Sequence, residues 1–221
     1  MARKNKAFPW PENNWITFVN VRIEVFCKAL EDLVVTEKMK EKEDDISNVL
    51  DPILTNVCFM QKIETGTPER EKPKSAITKD DLLLESINKR PDFTCTLHDT
   101  YAESVELYKL DLHIECKCIG FNRKSSPSWD LNNNYVKNGI NRFDTLSHEY
   151  GKNVKDGIMI GYIISSNKLD IQKNINAKLS NKMEKLNFTS RNKVEKVTTK
   201  FIREVVEPTN FTMHHIWADY T

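Results

Sequence analysis

The spacing of apolar positions changes twice along the chain. Val19, Ile23, Phe26, Leu30 and Leu33 recur every three or four residues, which predicts an amphipathic helix over about residues 15–40. Asn13 or Asn14 would cap it. Ile46, Leu50, Ile53, Leu54 and Val57 predict a second helix over about 44–62. The charged, Pro-containing stretch 64–75 reads as an exposed loop, and Thr78 with Asp80 and Asp81 as the start of a short helix to about Asn88. The period then shortens. Phe93–Leu97 and Leu107–Ile119 read as strands separated by a turn near 98–104, and 120–134 as a polar loop. Val136, Ile140, Phe143, Leu146 and Tyr150 return to helical spacing, with Gly151 placed to end that helix. The apolar run 157–164 predicts a strand covered on both faces. Strand, loop, helix and apolar strand make a right-handed crossover unit by the usual rule. Ile171, Ile175, Leu179, Met183 and Leu186 predict a further helix, and 201–206 and 211–220 the final strands. The expected class is α/β, a mixed central β-sheet flanked by helices in one domain over residues 1–221.

The strand near residue 110 carries a second pattern. Tyr108, Leu110, Leu112, Ile114, Cys116 and Cys118 occupy the even positions and suit a core. Lys109, Asp111, His113, Glu115 and Lys117 occupy the odd positions and are all ionisable. Successive side chains point to opposite faces, so one face packs and the other presents a polar row.

Composition excludes more than it specifies. A chain of 221 residues that is 39% hydrophobic and 29% charged suits a folded domain. No stretch of eighteen apolar residues predicts a membrane span, and no apolar segment follows the basic start as a secretory signal requires. Cys27, Cys58, Cys95, Cys116 and Cys118 are unpatterned and odd in number, which fits free thiols and a cytoplasmic location. The net charge of +1 is unevenly spread. Residues 165–203 hold ten Lys and Arg against three acids, and residues 24–51 nine acids against four lysines. Solvated faces account for both, although the basic C-terminal part, about 165–221, would also suit a phosphate backbone.

Chemistry enters where Pro91-Asp92 opens the first strand of the pair. A turn near 98–105 can bring Asp92 beside Glu115, joining two carboxylates and the Lys117 amine. Close carboxylates repel unless a cation lies between them, and an all-oxygen set favours Mg2+. A bound Mg2+ acidifies its water and stabilises charge on a phosphate, while Lys117 could orient that water or meet developing negative charge. These are the parts of metal-assisted phosphodiester hydrolysis.

RPDF and HIECK together resemble the PD-(D/E)xK signature of the restriction-endonuclease-like nucleases, with Asp92, Glu115 and Lys117 at the motif positions. The resemblance covers about residues 15–165 and extends to the order of elements: a leading helix, a strand hairpin bearing the motif, a helix and an apolar strand. It implies a restriction-endonuclease-like core and a Mg2+-dependent DNA endonuclease, with Mn2+ able to substitute. A restriction or phage-defence role is implied by family association alone. Asp92, Glu115 and the Cys116 backbone carbonyl would be metal ligands. A glutamate of the leading helix would join them, Glu24 in preference to Glu31. The helix after the motif lacks the QxxxY of RecB-like exonucleases and reads YVKNGINRF, with Tyr135, Asn138 and Arg142 on one side. Arg123, Lys124 and Trp129 of the loop, with Tyr135 and Arg142, are the candidates for touching nucleic acid.

Other chemistries fit less well. His113 faces away from Cys116 and Cys118, and adjacent His214 and His215 diverge, so neither set makes a zinc site. No base accompanies Cys27 or Cys95 as a nucleophile, and six glycines form no phosphate loop. Any coupling to ATP would need a partner chain such as an ATPase or sensor subunit. Cutting both strands would call for a homodimer. The alternatives are a catalytically silent nuclease-fold subunit of a larger complex, and an RNA- or junction-specific nuclease.

Overall fold

The computed structural model describes residues 12–37, 42–74, 84–98, 102, 104–121, 130–189 and 192–221. The strands are β1 (Glu69–Arg70), β2 (Phe93–His98), β3 (Lys109–Ile119), β4 (Asp156–Ile163), β5 (Val194–Ile202) and β6 (Asn210–Asp219). They form one mixed sheet in the order β1-β2-β3-β4-β6-β5. β2 and β3 are antiparallel, β3 to β4 and β4 to β6 parallel, and β5 to β6 antiparallel. The helices are α1 (Glu12–Thr36), α2 (Glu43–Met60), a single turn α3 (Val105–Tyr108), α4 (Leu131–Lys137) and α5 (Lys168–Lys178). Among the described residues no helix is long and apolar enough to cross a membrane.

Two cores, one on each face of the sheet, explain why the central strands tolerate no exposed side. Phe26, Leu30 and Leu33 of α1 and Leu50 and Leu54 of α2 pack on Leu112, Ile114 and Cys116 of β3 and on Ile158 and Ile160 of β4. On the other face Tyr135, Val136, Ile140 and Phe143 meet Ile119, Met159, Met213 and Trp217. β3 is therefore buried on both faces from Leu112 to Ile119, and its expected polar face is a covered one. His113 shows how a polar residue is accommodated there. Its Nδ1 accepts the Gly151 N–H at 2.9 Å, and burial pushes its pKa down to about 4, so it stays neutral.

Several boundaries differ from the periodicity reading, each for a local reason. α1 already includes Asn13 and Asn14, so neither precedes it as a cap. The helix expected over 136–150 starts earlier, because Asp130 accepts the Asn133 N–H as its cap, and it stops at Lys137. A 3-10 turn, Ile140–Asp144, follows. The break falls at Gly139, where an added Cβ would lie 2.5 Å from the Met159 methyl and 3.4 Å from Lys117 Cγ. Gly151, with φ of +69°, closes a turn rather than a helix. α5 ends at Lys178, and Met183 continues as an isolated bridge to Phe201. The penultimate strand lies at Val194–Ile202, ahead of its expected place, and the buried Arg203 follows it directly, its backbone N–H bonded to the Thr209 carbonyl at 2.8 Å. The proposed helix start at Thr78, Asp80 and Asp81 lies outside the described residues, while Glu85–Asn88 form a 3-10 turn.

Candidate functional site

The site begins with a mismatch in strand length. The β2 ladder ends at Phe93↔Ile114, whereas β3 continues to Ile119 against β4 alone. Beyond Ile114 the even-numbered N–H groups of β3 have no strand to bond. Buried backbone donors need partners, and two carboxylates supply them. Asp92 Oδ2, just before β2, accepts the Cys116 N–H at 2.5 Å. Glu43 Oε2, the first residue of α2, accepts the Cys118 N–H at 3.2 Å. The Asp92–Glu115 proximity expected from the hairpin follows from this capping.

Lys117 sits among these oxygens. Its ammonium donates to the Cys116 carbonyl at 2.6 Å and to Glu43 Oε1 at 2.7 Å. It pairs with Glu115 Oε1 at 2.8 Å and stands 3.8 Å from Asp92 Oδ2. Arg142, from the 3-10 turn after α4, donates to the same Glu115 Oε1. Glu115 Oε2 is buried and, among the described residues, has no hydrogen-bond partner. Tyr150 covers the far side, its ring packed against His113 and Phe143.

Burial and charge set the protonation of the cluster. Burial, reinforced by the Asp92 charge, pushes Glu115 up to about 8, with Lys117 and Arg142 opposing. Burial also raises Asp92, offset in part by Lys117 and the Cys116 N–H. Glu43 is raised by burial against the pull of Lys117. Burial works against the Lys117 charge, but Glu115, Asp92 and Glu43 together hold its pKa above the ordinary lysine value. Tyr150 is raised by burial and by the nearby Glu115 charge.

The residues singled out from the sequence divide clearly. Asp92, Glu115, Lys117, the Cys116 carbonyl and Arg142 meet in one cluster. The Cys116 side chain is buried in the α1–α2 core. Neither helix glutamate reaches the cluster: Glu24 pairs with Lys196 on β5 at the far edge of the sheet, and Glu31 with Lys28 on the surface of α1. Both glutamates face away because α1 turns its apolar stripe, with Phe26, Leu30 and Leu33, to β3. Glu43 takes that place instead. It stands in the acidic run read as a solvated face, and its only advance signal was a carboxylate at the start of a helix next to the leading one. Tyr135 does not face outward. It is buried, with its hydroxyl 2.8 Å from His215 Nδ1 and accepting from Trp217 at 3.2 Å. Arg123, Lys124 and Trp129 lie outside the described residues.

The donor set fits a hard divalent cation: carboxylates, a backbone carbonyl and a buried carboxylate oxygen without a partner among the described residues. The carboxylates here converge on an ammonium, and among the described residues no three His, Cys, Asp or Glu side chains form a ready-made metal site. No family model, curated protein or solved structure matches the chain.

Proposed function

We propose that the protein is a Mg2+-dependent nuclease with a restriction-endonuclease-like core that hydrolyses phosphodiester bonds in DNA. The observation that carries this reading is the convergence of Glu43, Glu115 and the Cys116 carbonyl on the Lys117 ammonium, with Asp92 3.8 Å away, where β3 outruns β2. Asp92, Glu115 and the Cys116 carbonyl would hold the Mg2+, or Mn2+ in its place. The bound ion would supply an acidified water and neutralise charge on the phosphate. Lys117 is kept charged by its carboxylate neighbours and is aimed by Glu43, so it can orient water or meet negative charge as it develops. DNA as the substrate, internal cleavage, a defence role and a partner chain rest on the resemblance of RPDF and HIECK to the PD-(D/E)xK signature. Plasmid and linear DNA incubated with the purified protein should be cut with Mg2+ and left intact with EDTA. Asp92→Ala, Glu115→Gln and Lys117→Ala should each lose activity by about 100-fold or more. Cleavage that survives in Lys117→Ala, or in EDTA, would overturn the reading.

One observation favours a second reading. Glu115 and Lys117 are buried and bonded to each other, as they would be in a silent nuclease-fold assembly subunit. That reading expects no Mg2+ binding by calorimetry, and an Asp92→Ala protein that behaves like the wild type in any complex it forms.

A further inference from the structure

Three carboxylates (Glu43, Asp92 and Glu115) face two cations (Lys117 and Arg142) in the cluster. The two cations play different parts. Lys117 is enclosed, with its ammonium bonded to a carbonyl and two carboxylates. Arg142 arrives from outside on a 3-10 turn, keeps 29% of its side chain exposed, and among the described residues has no carboxylate other than Glu115 within ion-pair distance. A guanidinium has five N–H donors in a planar fork, and one carboxylate oxygen leaves most of that fork for another acceptor.

With all groups ionised the cluster carries one negative charge in excess. A divalent cation would turn this into one positive charge in excess, matched by the single negative charge of a phosphodiester. Of the two cations, among the described residues only Arg142 can leave without uncovering the backbone, since Lys117 caps a carbonyl. Resting on the reading of this site as a metal-dependent nuclease, we propose that Arg142 switches partner. It pairs with Glu115 while no metal is bound, and moves to a phosphate of the substrate when a divalent cation takes over that carboxylate. Arg142 is then both a competitor of the metal and a ligand of the nucleic-acid backbone.

The test separates these two effects from activity. Metal binding is measured by calorimetry with Mg2+ alone. Binding of a short DNA duplex is measured by fluorescence anisotropy in Ca2+. Wild type is compared with Arg142→Ala, Arg142→Gln and Glu115→Gln, and each fold is checked by circular dichroism. Loss of Arg142 should tighten Mg2+ binding by about ten-fold, because a divalent ion gains more from the loss of a neighbouring cation than the singly charged proton that competes with it. The same variants should weaken duplex binding in Ca2+ by about ten-fold. Unchanged or weaker Mg2+ binding in both Arg142 variants, with Glu115→Gln still abolishing it, would overturn the switch and leave the nuclease reading standing. No Mg2+ binding by the wild type would overturn both. Tighter metal binding without loss of duplex affinity would also overturn the proposal, by reducing Arg142 to an internal counter-ion.

Discussion

Glu43 accepts a hydrogen bond from Lys117 at 2.7 Å, tying the first residue of α2 to a strand 74 positions further on. Its second oxygen takes the Cys118 N–H, so one side chain both completes the backbone of β3 and holds the ammonium over Glu115. Glu43→Ala should remove the carboxylate that accepts the Cys118 N–H and cost about 1–3 kcal/mol in urea denaturation. Glu43→Gln keeps an acceptor and should cost less. Both should lower DNA cleavage. Glu24→Ala is the control: it breaks an exposed pair with Lys196, worth about 0–1 kcal/mol, and should leave cleavage unchanged.

Glu115 makes stability fall as pH rises from about 4.5 to about 8. Its folded pKa of about 8 exceeds the ordinary 4.5, so between those values the folded chain holds a proton that the unfolded chain has released. Stability therefore declines as pH rises through that window, by up to about 1.4 kcal/mol per pH unit. Glu115→Gln does not titrate. Its stability relative to wild type, from urea midpoints, should climb steadily from pH 5 to pH 8. A constant difference would show that Glu115 is ionised throughout.

The acid limb has the opposite sign. His113 and His215 are buried neutral, with pKa values pushed down by burial to about 4 and about 3. Below the ordinary 6.5 the unfolded chain binds protons that the folded chain refuses, so stability is lost as pH falls. In the Glu115→Gln background, which removes one opposing titration, each histidine should contribute up to about 1.4 kcal/mol per pH unit below pH 6.5. His215 is the more consequential, because its ring joins Tyr135 on one side to Thr199 on the other.

Arg203 should prove irreplaceable by lysine. Its buried guanidinium donates to the carbonyls of Phe143, Tyr150, Gly151, Val154 and Pro208, and it lies 4.0 Å above the Phe211 ring. A planar fork can serve several carbonyls at once, and an ammonium cannot. Arg203→Lys should lose about 3 kcal/mol or more by chemical denaturation. The loop that carries Tyr150 over Glu115 should loosen first, as seen by hydrogen exchange at Tyr150 and Gly151.

Much of the fold was legible from periodicity. α1, α2, β2, β3 and β4 stand close to where apolar spacing put them, because each buries a face wide enough to leave a regular pattern. The region after β4 departs further from its periodicity. Leu179, Met183 and Leu186 are buried as a helix face would be, yet they lie beyond α5 in an irregular segment held by Asn176, whose side chain bonds both backbone groups of Leu186. Side-chain bonds of this kind replace a helix without changing the order of apolar residues. Tyr135 is buried where an outward place is expected, because helical spacing shows which residues share a side and not which side meets the sheet.

The sequence by itself determined that Asp92, Glu115 and Lys117 could meet. Alternation puts Glu115 and Lys117 on one face of β3, and a hairpin brings Asp92 to its edge. Only the tertiary structure decided that this face is buried, since burial depends on α4 and the following turn folding back over it. It also decided that the third carboxylate comes from Glu43 rather than α1, and that Arg142 closes the ring. Those choices depend on where β2 stops pairing and which N–H groups are left over, and distant segments meet such needs without leaving a local pattern.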